Sequence, residues 1–143
     1  MYMKLEVPAV PENESFVRTV IAAFCARLDP NLEELNEVKT AVSEAVTNCI
    51  LHAYEDDSGV INIKAFLEDS KVIIEVHDKG RGIKDIEKVR EPLYSERPDL
   101  ERSGMGFTIM ENFMDEVTIE SMVGEGTSLR MSKTFGKHEE NTY

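Results

Sequence analysis

Two runs of alternating apolar residues, Val60–Leu67 and Val72–His77, flank the short polar stretch Glu68–Lys71. Strict alternation sends every second side chain to the same face of a strand. Ile61, Ile63, Ala65 and Leu67 therefore share one face of the first strand, and Val72, Ile74 and Val76 one face of the second. A link this short closes a β-hairpin, because a parallel neighbour needs a crossover of about a dozen residues or more. Glu116–Ser121 and Thr127–Thr134, joined around Gly124-Glu125-Gly126, read as a second antiparallel pair. The opening Met3–Val7 alternates weakly and is stopped by Pro8 and Pro11, as an edge strand would be. A doubly wound parallel sheet is excluded.

The rest of the chain carries the helical period. After Pro11, Phe16, Val20, Phe24 and Leu28 recur every four residues, with Val17 and Ile21 beside them. Asp29-Pro30 ends that helix, since the residue before proline avoids the right-handed α region. Asn31 then fits an N-cap, with Glu34 three residues on completing a capping box. The second helix presents Leu32, Leu35, Val38, Val42, Ala45, Val46, Cys49 and Ala53 to a sheet and ends near Tyr54, before the turn Glu55–Gly59. A third helix, Phe107–Met114, follows Gly104-Met105-Gly106, with Met105, Met110 and Met114 as core filler. Helices early and antiparallel strands late make an α+β two-layer sandwich: a mixed, mostly antiparallel sheet with helices on one face.

At 143 residues the chain is one domain's worth, spanning 1–136 with a flexible polar tail at 137–143. Its 28 acidic and 16 basic side chains leave a net charge of −12, which argues against direct nucleic-acid binding, where clustered Lys and Arg neutralise phosphate. No apolar run is long enough for a membrane span, and MYMKLEVPAV lacks the long apolar stretch of a signal peptide. Cys25 and Cys49 sit within apolar helical patterns, as buried free thiols of a cytoplasmic protein would.

Three stretches carry chemistry. Glu44 and Asn48, four residues apart on the second helix, lie side by side, and His52 continues the row. Alone this is an ordinary polar helix face; as a site, Asn48 offers an oxygen to a hard cation such as Mg²⁺, and Glu44 orients or deprotonates a nucleophile. Asp78-Lys-Gly80-Arg-Gly82 directly follows a strand. It is either a plain Asp/Gly turn or a carboxylate placed to accept from an exocyclic amine, with glycines that admit a flat ligand. Arg102-Ser-Gly104-Met-Gly106 opens a helix, whose free N–H groups suit phosphate, and Arg102 adds a charged donor. It lacks the Gly-Lys-Ser/Thr of a P-loop, and no parallel βαβ unit surrounds it. In this order the three supply cation, base and phosphate contacts of one nucleotide site.

These stretches resemble the N box (Glu44–Asn48), G1 box (Asp78–Gly82) and G2 box (Gly104–Gly106) of the GHKL ATPase and kinase superfamily. More narrowly, PENESF, VSEAVTN and ERSGMGFTIMENFMDEV resemble the sporulation anti-sigma F family of serine-protein kinases, over nearly the whole chain. The resemblance implies a Bergerat fold binding Mg·ATP or ADP beneath a lid at about Ile83–Ser103. It further implies that Asn48 coordinates Mg²⁺, Asp78 binds the adenine amine, and Gly80, Gly82, Gly104 and Gly106 line the nucleotide. Arg102 then touches the terminal phosphates, Thr127 supports the adenine end, and Glu44 is the catalytic base or orienting group. The implied partners are a sporulation sigma factor, contacted through positions such as Arg18, an anti-anti-sigma factor that accepts phosphate on serine, and a second copy of the chain. Tyr94, Ser95 and Arg97 fall in the lid, where nucleotide and partner are both within reach. Two other functions fit the same motifs: a detached histidine-kinase catalytic domain, and a non-catalytic module gated by nucleotide.

Overall fold

The computed structural model describes residues 1–53, 59–79, 106–122 and 124–136. In chain order they form β1 (Tyr2–Pro8), α1 (Glu12–Cys25), α2 (Leu32–Asn48), β2 (Val60–Glu68), β3 (Lys71–Asp78), α3 (Gly106–Phe113), β4 (Glu116–Met122) and β5 (Gly126–Thr134). A 3₁₀ turn, Ala26–Leu28, extends α1, and one π-helical turn, Cys49–Ala53, extends α2.

The sheet order is β1-β2-β3-β5-β4, with every neighbouring pair antiparallel. The β2–β3 hairpin pairs Glu68 with Lys71. Its turn is made by Asp69 in the left-handed region (φ 52°), which Asp visits at lower cost than most residues. Asp29 takes the same conformation (φ 52°) where α1 must stop before Pro30.

The helices cover one face of the sheet. Val17, Ile21 and Phe24 of α1, Val38, Val42 and Val46 of α2, and Phe107 and Met110 of α3 join Ile61, Ile63, Ile74, Val76, Leu129 and Met131 in one buried core. The opposite face is largely polar. Near its centre the Ser128 hydroxyl lies 2.8 Å from His77 Nδ1, and His77 Nε2 lies 3.0 Å from Glu75 Oε1. Arg130 donates to Glu75 Oε2 at 3.1 Å. Side chains satisfied in this way need no second helical layer.

Two expectations are corrected. Phe16 and Leu32, placed in apolar stripes from the sequence, are 51% and 73% exposed. In a helix each residue advances about 100°, so residues four apart drift by about 40° per step. A row from 16 to 28 therefore cannot keep one face to the core, which instead takes Val17, Ile21, Phe24 and Cys25. Leu32 is the first residue of α2 and projects beyond the sheet that the later turns cover.

The capping box at Asn31 forms as expected. Glu34 N–H donates to Asn31 Oδ1 at 2.8 Å, and Asn31 N–H donates to Glu34 Oε1 at 3.0 Å. The other Glu34 oxygen accepts the Gly136 N–H at 2.8 Å, which ties the backbone just after β5 to the start of α2. Lys133 donates to the Phe113 carbonyl at 2.8 Å, satisfying an orphan acceptor at the C-terminus of α3. Cys25 and Cys49 are both free and buried. Met110 and Met114 are buried in the core.

Candidate functional site

The site is assembled where the C-terminal end of α2, the end of β3, the start of α3 and the start of β5 meet. Asp78 closes β3 and pairs in register with Thr127. Its carboxylate, on a residue only 8% exposed, accepts the Thr127 N–H through Oδ1 at 3.2 Å. Through Oδ2 it accepts the thiol of Cys49 at 3.4 Å. Burial, and then the charge and hydrogen bond of Asp78, push the Cys49 thiol well above its ordinary pKa, so it stays protonated and able to donate.

Gly126 allows this approach. Its φ of +109° disfavours any L side chain, and a Cβ there would overlap the Asp78 carbonyl oxygen and stand 2.7 Å from Lys79 Cα. Ser121 of β4 braces the same strand start. Its hydroxyl donates to the Gly126 carbonyl at 3.1 Å and lies 2.9 Å from the Thr127 hydroxyl. A hydroxyl has one hydrogen, so with Ser121 donating to Gly126, Thr127 donates to Ser121.

The other end of the site is set by α3. A Cβ on Gly106 would lie 3.0 Å from Glu44 Oε2 and 3.6 Å from both Asn48 amide atoms. The first residue of α3 thus sits against the Glu44–Asn48 row of α2, with no side chain between them. That cradle, with a carboxylate and a carboxamide as its oxygen donors, fits a small hard cation that takes few protein ligands and keeps waters for its other positions. Among the described residues no group of three His, Cys, Asp or Glu forms a closed metal site.

Of the residues expected from the sequence, Glu44, Asn48, Asp78, Gly106 and Thr127 therefore converge on one locality. Cys49 joins the two ends, adjoining Asn48 in the chain and bonding Asp78 through its thiol. Arg18 lies apart on α1, where it pairs with Glu14 Oε1 at 3.6 Å. Gly80, Gly82, Arg102, Gly104, Met105, the lid Ile83–Ser103 with Tyr94, Ser95 and Arg97, and the tail at 137–143 lie outside the described residues, as does the side chain of His52.

Sequence reasoning read Cys49 as a buried free thiol, which it is, without its bond to Asp78, and passed over Ser121. No residue spacing marks either. Only the Gly-Glu-Gly-Thr127 run hinted that the strand start was built for close approach.

The family model described as a histidine kinase-like ATPase domain matches residues 7–133. Anti-sigma F factor from Caldanaerobacter subterraneus subsp. tengcongensis is 55% identical over 136 residues, covering 95% of each chain. Anti-sigma F factor from Clostridium acetobutylicum is 56% identical over 138 residues, covering 96% of each. Among solved structures, the RsbU and RsbW domains of Rv1364c from Mycobacterium tuberculosis superpose with a TM-score of 0.71 at 19% identity. That match spans 96% of this chain and 33% of the longer one, and it supports the fold alone.

Proposed function

Since the chain belongs to the anti-sigma F factor family of histidine kinase-like ATPase domains, we propose that it is a cytoplasmic nucleotide-dependent regulator with two activities. It binds and holds off a sporulation sigma factor, and it uses Mg·ATP to phosphorylate a serine of an anti-anti-sigma antagonist. The observation that carries this reading is the meeting of Gly106 with Glu44 and Asn48. An α-helix begins beside a carboxylate and a carboxamide, with a base-reading carboxylate held nearby.

In this reading Asp78 accepts the exocyclic amine of adenine while Thr127 holds the other carboxylate oxygen. Gly80, Gly82, Gly104 and Gly106 let the backbone lie close to the nucleotide, and Arg102 meets the terminal phosphates. Asn48 is the residue that holds Mg²⁺, which when bound supplies charge neutralisation at the phosphates. Phosphoryl transfer passes through a loose transition state, so alignment and charge stabilisation count for more than base strength. Glu44 accordingly orients the attacking serine hydroxyl and takes its proton as the phosphoryl group leaves ADP. The segment Ile83–Ser103 is the lid over the site within a single domain at 1–136.

The protein acts as a homodimer, and half-buried positions of α1 such as Arg18 contribute to the sigma-binding surface. The acidic net charge of −12 complements basic segments of a partner and favours their encounter. ATP and ADP switch partners only if each partner has different affinities for the two nucleotide states. No helix among the described residues is long and apolar enough to cross a membrane.

The test is incubation of the chain with labelled Mg·ATP and the candidate antagonist, followed by mapping of the label. Phosphoserine on the antagonist is expected, and Glu44→Gln should abolish it. Label on a histidine of the chain itself would make it a histidine-kinase-type domain. No label on either protein, despite nucleotide binding, would make it a non-catalytic module.

A further inference from the structure

Asp78 is a side chain with a rotational problem. A carboxylate turns about its Cβ–Cγ bond in a broad, roughly two-fold well, so burial alone does not aim its oxygens. Reading an exocyclic amine needs one oxygen aimed along the N–H direction, and a group already aimed loses less entropy on binding. In this structure the two oxygens are gripped from different elements. Oδ1 accepts the Thr127 N–H of β5 at 3.2 Å, and Oδ2 accepts the Cys49 thiol at 3.4 Å.

Cys49 is well built for such a task. It is 6% exposed and stands at the first position of the π-helical turn, where α2 changes period. Its own N–H bonds back to the Ala45 and Val46 carbonyls, so the backbone that carries the thiol is fixed. Such wider turns occur disproportionately at functional sites. The sulfur stands 3.4 Å from Asp78 Oδ2, within hydrogen-bond reach of an S–H donor. An alanine would fill the helix equally well but would give the carboxylate nothing.

We propose that Cys49 is a positioning residue for base recognition: its S–H holds the Asp78 carboxylate in the plane that accepts the exocyclic amine of an adenine nucleotide. The proposal rests on the reading of Asp78 as the adenine-binding residue. Cys49 touches no phosphate and takes no part in transfer. Its contribution is confined to the base, and specifically to the amine.

The experiment compares binding of ATP and of purine riboside 5′-triphosphate, which lacks the amine, to the full chain and to Cys49→Ala and Cys49→Ser. The native protein should prefer ATP. Cys49→Ala should weaken ATP binding by about three- to tenfold, the range for losing a weak donor to a charged acceptor, and leave the analogue's affinity unchanged. Cys49→Ser, whose hydroxyl can donate, should retain the preference. Should alanine not fold, Cys49→Val refills the volume without a donor and repeats the comparison. If the non-donor variant weakens both ligands equally, or neither, Cys49 is only packing and the proposal is overturned while the reading of Asp78 stands. If the native protein does not prefer ATP over the analogue, the reading of Asp78 itself fails and the proposal falls with it.

Discussion

Gly126 and Gly124 lie two residues apart around the β4–β5 turn, and both hold positive φ, +109° and +85°. Replacing each with alanine separates backbone strain from collision. At Gly124 a Cβ meets nothing within 4 Å among the described residues, so the substitution carries only the left-handed penalty, about 1–2 kcal/mol. At Gly126 the same penalty applies, and the new methyl also overlaps the Asp78 carbonyl oxygen and lies 2.9 Å from Asp78 C. These are backbone atoms of β3 and cannot swing aside, so the ends of β3 and β5 must part. Overpacking of this kind costs about 1–3 kcal/mol, and loss of the Thr127 N–H bond to a charged acceptor adds about 1.5–3 kcal/mol. Gly126→Ala should therefore destabilise by roughly 4–8 kcal/mol against about 1–2 for Gly124→Ala, a large share of a stability of about 5–15 kcal/mol. Urea unfolding of the two variants beside the native chain measures the difference from the midpoints at constant slope. Equal losses at the two positions would refute the claim that Gly126 exists to admit Asp78. ATP affinity of whatever folded Gly126→Ala remains should fall as well, because the Asp78 oxygen loses its strand-side anchor.

Three further outcomes are expected. The Ser43 hydroxyl is buried without a hydrogen-bond partner among the described residues, so Ser43→Ala should raise the unfolding free energy by about 1 kcal/mol, read from the denaturation midpoint; a loss of stability would show that the hydroxyl is in fact satisfied. Asn31→Ala removes the acceptor of the α2 capping box and should cost about 1 kcal/mol, whereas Asn31→Asp should restore most of it; helix content and thermal midpoints of the two decide. Burial pushes the Cys25 thiol from 9.0 up to about 12, so the folded state holds that proton more tightly than the unfolded chain. The stabilisation is complete below pH 9.0 and drains away as pH rises toward 12. Between about pH 8 and about pH 10.5 the native chain should lose about 2 kcal/mol more stability than Cys25→Ala, from about 1.5 pH units at 1.36 kcal/mol each. Parallel pH profiles of the two proteins would contradict it.

Much of this molecule follows from short-range rules. The β2–β3 hairpin was legible because alternation and a short polar link act within a few residues. The capping box at Asn31 and Glu34 was legible for the same reason, and so were the Glu44–Asn48 pair and the glycine that opens α3. Where the reading slipped at Phe16, a four-residue repeat had been taken for the 3.6-residue period of a real helix face; Leu32 keeps the right period but is the first residue of α2, where burial has not yet begun. The order of the sheet had no local signature. The β4–β5 hairpin could in principle present either strand to β3, and β5 takes that place with Leu129 and Met131 opposite Val76 and Ile74.

What the sequence alone determined is therefore the kind of each element, the residue types at its ends and the family's motifs. What the tertiary structure alone decided is which of those ends meet. Cys49 and Asp78 are 29 residues apart in the chain, and Asp78 and Thr127 are 49 apart, yet they share one buried hydrogen-bonded junction. No local propensity encodes a contact across such distances. It arises because α2 must bury its apolar stripe on the sheet, and in doing so brings its C-terminal turn over the ends of β3 and β5.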